Sequence, residues 1–163
     1  MNNILWKPKN YKKTQMMQFL NRVSDSYSLN IQSYEDLHRW SVENISDFWK
    51  EIWSASNIIY SKKYDEVVDD IHKMPGAKWF SGSQINFAEN LLRFKDEKIA
   101  VYFQSENSPI KKMTYIELYN DVESLAHSLR YIGLQKGDRV VGYLPNIPET
   151  IIAMLATTSI GAI

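Results

Sequence analysis

Cysteine is absent from all 163 residues. That excludes a disulfide frame, a thiolate zinc site and a thiol nucleophile, and it suits a reducing compartment such as the cytoplasm. An excess of charge is also missing, because 19 basic and 19 acidic side chains cancel. Nothing in that balance calls for a polyanionic partner, so neither nucleic acid nor an anionic membrane surface is expected. Long apolar runs are lacking too. The longest, from Thr150 to Ile163, is Thr-rich and shorter than the roughly 20 residues that span a bilayer. The N-terminus has no apolar core of the kind a signal peptide uses, so a soluble, cytoplasmic protein is the expectation. Three motifs are missing as well: the phosphate loop G-x-x-x-x-G-K-[ST], G-x-G-x-x-G and G-x-S-x-G. Gly133 and Gly137 bracket Leu134-Gln135-Lys136, but they precede a strand-like segment rather than a helix. The histidines, His38, His72 and His127, are far apart and fall in no metal-ligand spacing.

Aromatic residues are plentiful, with five Trp, ten Tyr and six Phe, and most are expected in a core or an interface. Lys7, Lys9, Lys12 and Lys13 read as a solvated N-terminal arm. Up to about Arg93 the pattern is helical with irregular joins. Thr14 can cap a helix whose Met16, Phe19, Leu20, Val23 and Tyr27 recur at helical spacing. Ser33 can cap a second helix, SYEDLHRW, with Glu35 and Asp36 near its positive end. Ser46 can cap a third, SDFWKEIW, whose Phe48, Trp49, Ile52 and Trp53 form a face too large to leave in water. Core packing is one use for that face, and a partner-binding surface is the other. From Tyr64 to Gly82 the pattern is irregular, with a turn at Met74-Pro75-Gly76. His72 lies near Asp69 and Asp70, but one histidine beside two carboxylates reads as a solvated surface. A short helix over Asn86–Arg93 is expected to turn Phe87, Leu91 and Leu92 inward.

The later part is more regular. IAVYFQSE is strand-like, Asn107-Ser108-Pro109 turns, and IKKMTY pairs back antiparallel. Thr114 and Glu117 form a capping box. The helix they open carries Leu118, Val122, Leu125, Leu129 and Ile132 as a stripe, and Gly133 stands where a left-handed cap belongs. His127 lies off that stripe. DRVVGYL reads as a strand buried on both faces. Pro148 starts a final helix, ETIIAMLATTSIG, that is apolar nearly all round and must be covered on most sides. A helix, a strand and a second helix make the opening of an α/β repeat, and the strand expected next is not included.

The residues TYIEL, then Leu125, Ala126 and Leu129, Gly133, KGDRV, PNIPE and AMLATTSIGAI resemble a known pattern. It is the opening of the large N-terminal domain of the AMP-forming acyl-CoA synthetases, the adenylate-forming superfamily. KWFSGSQINFAENLL, YEDLHRWSVENISDFWKEIW and the opening WKP resemble the N-terminal extension of its acetate and acetoacetate branches. GYLPN (Gly142–Asn146) and NFAENLL (Asn86–Leu92) lie nearer the acetoacetate branch. The resemblance implies an α/β fold, with a helical extension over residues 1–95 and the incomplete start of the ligase domain over 96–163. It further implies the N-terminal part of an acetoacetate–CoA ligase, working on small-molecule substrates with ATP, Mg²⁺ and CoA. An acetate or propionate ligase, and a non-catalytic interaction module built on the Trp49–Trp53 helix, remain alternatives. In the family the ATP-binding and catalytic motifs lie further along. No catalytic, cofactor-binding or metal residue is therefore assigned, no tight cofactor binding by this chain is expected, and its exposed apolar surface is expected to favour self-association.

Overall fold

A computed structural model describes residues 5–6 and 8–163. Lys7, one of the N-terminal lysines and the centre of the WKP opening, lies outside the described residues. The chain forms two compact units: residues up to Ile58 with Lys63–Ser83, and Ile59–Lys62 with Gln84–Ile163.

In the first unit a 3₁₀ turn, Tyr11–Lys13, leads into helix α1 (Gln15–Tyr27), and Lys9, Lys12 and Lys13 are exposed. The Thr14 hydroxyl caps α1 by accepting the Met17 N–H at 3.3 Å. Leu20 and Val23 form its buried face, with Met17, Phe19 and Tyr27 alongside. Met16 is half exposed, because Met17 on the neighbouring row takes its place in the packing. Helix α2 (Tyr34–Glu43) opens with a reciprocal box. Ser33 Oγ accepts the Asp36 N–H at 3.1 Å, and the Asp36 carboxylate accepts the Ser33 N–H at 3.2 Å. The Ser33 hydroxyl, followed by the Gln32 N–H, holds the Asp36 carboxyl below its usual range. Leu37 and Trp40 complete the core with Leu20, Val23 and Ile31.

Helix α3 (Ile45–Ala55) starts one residue before the Ser46 cap that its sequence suggested. Its N-cap is Asn44, which also ends α2. The backbone N–H and side-chain amide of Asn44 both donate to Trp40 O, at 2.8 and 3.1 Å. One short side chain cannot serve two helix ends, so α3 begins without a side-chain cap. The buried carboxylate of Glu51 accepts from Arg22 Nε at 2.9 Å.

The stretch that read as irregular contains a hairpin. Strands β1 (Glu66–Val68) and β2 (Trp79–Ser81) pair antiparallel, with Glu66 opposite Ser81 and Val68 opposite Trp79. Three residues per strand are too few for alternation to show in a sequence, and an isolated hairpin of that size is marginal. The aromatic face of α3 supports it. Trp53 lies 5.1 Å from Tyr64 and 4.8 Å from Phe80 between ring centroids, and Trp49 lies 5.9 Å from Trp79. The loop 69–78 is gathered by Asp69, whose carboxylate accepts from Lys73 Nζ and from the N–H groups of Lys78 and Asp70. Led by the Lys73 hydrogen bond, these hold the Asp69 carboxyl at about 2.

The second unit contains helix α4 (Phe87–Leu91), the antiparallel strands β3 (Ile99–Phe103) and β4 (Lys111–Thr114), and helices α5 (Tyr115–Tyr131) and α6 (Pro148–Ile160). Thr114 and Glu117 make the capping box that their spacing suggested, with Glu117 accepting the Thr114 N–H at 2.7 Å. That bond holds the Glu117 carboxyl below its usual range. At the other end of α5 the N–H of Leu134 reaches Leu129 O and that of Gly133 reaches Arg130 O, with Gly133 at φ 98°. This pair of bonds closes a helix through a left-handed residue. Leu118, Val122 and Ala126 of α5 pack on Ile152, Leu155 and Ala156 of α6 and on Ala88 and Leu92. Ile132, placed on the stripe by its spacing, is exposed because the helix has ended.

Two expectations fail in this unit. In α4 the inward residues are Ala88 and Leu92, whereas Phe87 is 59% and Leu91 45% exposed. The segment Asp138–Leu144 is no buried strand: Val141 is 93% and Tyr143 105% exposed. A strand buried on both faces needs covering layers and neighbours. Among the described residues it has one neighbour, the chain leaving α6. Ile163 N–H donates to Asp138 O at 2.8 Å, and Val140 N–H donates to Ile163 O at 2.7 Å. One residue bridging the two neighbours of Arg139 in this way is a rung of parallel pairing. The chain leaving α6 therefore returns beside Asp138–Val140 in the parallel sense that an α/β repeat demands, without a strand being formed at either segment.

Candidate functional site

The second unit has two features that could serve function: a groove beside α4 and the strand-like edge at Asp138–Leu144. Helix α4 is so short that three of its i,i+4 rows can be followed one by one. The row Ala88/Leu92 faces the core, Phe87/Leu91 faces outward, and Asn86/Asn90 ties the helix to the chain around it. Asn90 donates to Ile59 O and accepts the Ile59 N–H, both at 2.9 Å. Asn86 caps α4 through Glu89 N–H at 3.1 Å, while its amide donates to Thr158 O at 2.9 Å and Ser159 O at 3.4 Å. Sequence reasoning missed both asparagines. The signal was an Asn in the cap position with a second Asn one turn later.

The groove encloses about 640 Å³. Leu92 and Val122 line it deep down, and Arg93, Lys95, Tyr119 and Glu123 stand around it. Lys95 Nζ lies 3.6 Å from the Tyr119 ring centroid, and the Tyr119 hydroxyl donates to Glu123 at 3.1 Å. Cations and carboxylates alternate there, and the lining holds no nucleophile with a base to activate it.

The residues weighed from the sequence do not converge. His38 is exposed and stacks on Tyr34 with centroids 6.1 Å apart. His72 is exposed, its backbone N–H donating to Asp70 Oδ1 at 2.9 Å. His127 is exposed on α5. Asp69 is committed to Lys73 and the backbone of its own loop. No group of three or more His, Cys, Asp or Glu side chains gathers among the described residues. No described helix is long and apolar enough to cross a membrane.

Comparisons with known proteins show what this chain is similar to. Residues 34–91 match the family model for the acetyl-coenzyme A synthetase N-terminus, and residues 87–163 match the model for AMP-binding enzymes. The chain is 48% identical to an acetoacetyl-CoA synthetase of Xenopus tropicalis and 47% to one of Macaca fascicularis. Each alignment covers 98% of this chain and 24% of the relative. A solved acetoacetyl-CoA synthetase from Streptomyces lividans superposes with a TM-score of 0.83 at 36% identity, over 99% of this chain and 26% of that one. The chain thus spans about a quarter of the length of the relatives it matches.

Proposed function

We propose that this chain, homologous to the N-terminal region of acetoacetyl-CoA synthetases, is the N-terminal part of an acetoacetate–CoA ligase. The observation that carries the proposal is the 48% identity sustained over 98% of the chain, through both units. In the proposed reaction the acetoacetate carboxylate attacks the α-phosphate of ATP and pyrophosphate departs. The CoA thiol then attacks the acyl carbonyl, AMP leaves, and acetoacetyl-CoA is released. On this reading residues 1–95 are the helical extension and 96–163 begin the ligase domain. The part in hand is scaffold, positioning an edge on which the rest of a sheet is built. The alternative of an interaction module built on the Trp49–Trp53 helix keeps only part of its surface, since Trp53 is 7% exposed while Trp49 is 39% exposed.

The test is to express the reading frame that runs through and past codon 163 and to measure ATP-dependent pyrophosphate release. Acetoacetate is expected to outpace acetate and propionate by at least about tenfold, which a pocket differing by a polar carbonyl group can supply. Equal or greater turnover of acetate or propionate would refute the proposed acid. A frame that encodes no Ser/Thr/Gly-rich phosphate loop would refute the ligase reading itself.

We further propose that the 163-residue polypeptide self-associates. Val141 and Tyr143 are exposed, Ile151 and Met154 of α6 are partly so, and residues 141–144 make no backbone hydrogen bond among the described residues. An edge with free N–H and C=O groups beside apolar side chains is a template for association. Hydrophobic-dye fluorescence should rise on adding the polypeptide, and a Val141→Lys/Tyr143→Lys double variant should lower both the dye signal and the sedimentation-average mass. A sharp monomer that binds no dye would contradict this.

A further inference from the structure

The last turn of a helix leaves carbonyls without partners, and α6 resolves this in three steps that lead into the parallel rung. Gly161, at φ 81°, lets Gly161 N–H reach Thr158 O and Ala162 N–H reach Thr157 O. Gly137 N–H then donates to Gly161 O at 2.9 Å, and the Asp138–Ile163–Val140 bonds follow. The third element is the side chain of Asn86, far away in sequence, which donates to the carbonyls of Thr158 and Ser159. That amide cannot be turned over without loss. Its oxygen is taken by the Glu89 N–H, so only its nitrogen can face two carbonyl oxygens. The backbone behind it is fixed as well, because Asn90 Nδ2 donates to Asn86 O at 2.9 Å and Asn90 pairs with both backbone groups of Ile59.

We infer that Asn86 is a positioning residue: its carboxamide clamps the C-terminal turn of α6 and so sets where the chain leaving that helix meets Gly137–Val140. The effect is transmitted through backbone alone, from Ser159 to Gly161 to Ile163. It stands whether or not the ligase reading holds, since it concerns how one crossover is closed.

Asn86→Asp separates the clamp from the cap, because aspartate caps a helix about as well as asparagine. The introduced carboxylate keeps an acceptor for Glu89 N–H but presents no hydrogen to Thr158 O or Ser159 O. It also places negative charge at the negative end of α6. The readout is amide hydrogen exchange in the 163-residue chain, taken as protection factors. At neutral pH the Gly137, Val140 and Ile163 amides should lose protection by on the order of tenfold, the size of one charge-affected hydrogen bond. The β3–β4 amides should hold theirs. Below about pH 4, where a carboxyl regains its proton and its donor, the loss should shrink. Asn86→Ser keeps a cap without the reach, and should lose protection at the same three amides at every pH. Unchanged protection in both variants would overturn the inference. So would an equal loss across β3–β4, or an Asp variant that shows no relief in acid.

Discussion

The 163-residue polypeptide, given ATP, magnesium, acetoacetate and labelled pyrophosphate, is expected to exchange no label above a heat-treated control. The reason is what phosphoryl chemistry demands. As the acyl carboxylate attacks the α-phosphate, charge accumulates on the departing pyrophosphate. Donors fixed in advance around that charge supply much of the rate, about 10²–10³ for a single well-placed one. On the proposed ligase reading such donors would come from a Ser/Thr/Gly-rich loop ending in Lys. The chain has no G-x-x-x-x-G-K-[ST] phosphate loop. Two of the cations lining the groove are engaged locally, Lys95 over Tyr119 and Arg93 over Phe94. Exchange that depends on acetoacetate and survives repurification would show that the chemistry is housed in these residues after all. Paired with the longer reading frame, the experiment separates an inactive part from an inactive protein.

How much of this could be read in advance depended on how local the deciding interaction was. The α5 helix was legible at both ends, since Thr114 reaches Glu117 and Gly133 reaches back to Arg130 within a few residues. The β3–β4 hairpin was legible because its turn residues sit between two apolar runs. Asn44 defeated the same reasoning: Ser46 was expected as the cap, but the N-cap is Asn44, whose side chain is committed to Trp40 of the preceding helix. The β1–β2 hairpin was invisible because its pairing is enforced by rings on α3 rather than by its own alternation. For α4, periodicity offered two apolar rows. The choice between them was made by Asn86 and Asn90, whose partners lie at Thr158 and Ile59. The segment Asp138–Leu144 carries the composition of a buried strand, and composition alone does not say which neighbours bury it. The candidate site followed the same pattern. Its tethering asparagines act over long sequence separations, where no spacing rule applies.

Replacing Trp53 by alanine is expected to be the most destabilising single change in the first unit, by about 3–5 kcal/mol, the range for truncating a buried large aromatic. Trp53 is buried from α3, and its ring packs on both Tyr64 and Phe80, which also meet each other at 5.3 Å. Phe80 is a non-glycine residue at φ 50°, a left-handed conformation that costs on the order of 1–2 kcal/mol. Its contacts with Trp53 and Tyr64 offset that cost. With the indole removed, a cavity opens, the strained residue loses its support, and two three-residue strands are left that cannot stand alone. A small domain has only about 5–15 kcal/mol in total, so the hairpin should come away from α3 at modest urea. Trp49→Ala is the comparison. That side chain is 39% exposed and meets Trp79 at 5.9 Å, so less area leaves the core and the loss should be about half as large. Urea titration followed by near-ultraviolet dichroism would measure both. A loss for Trp53→Ala below about 1 kcal/mol, no more than an average substitution gives, would mean that something other than the α3 aromatic face holds the hairpin.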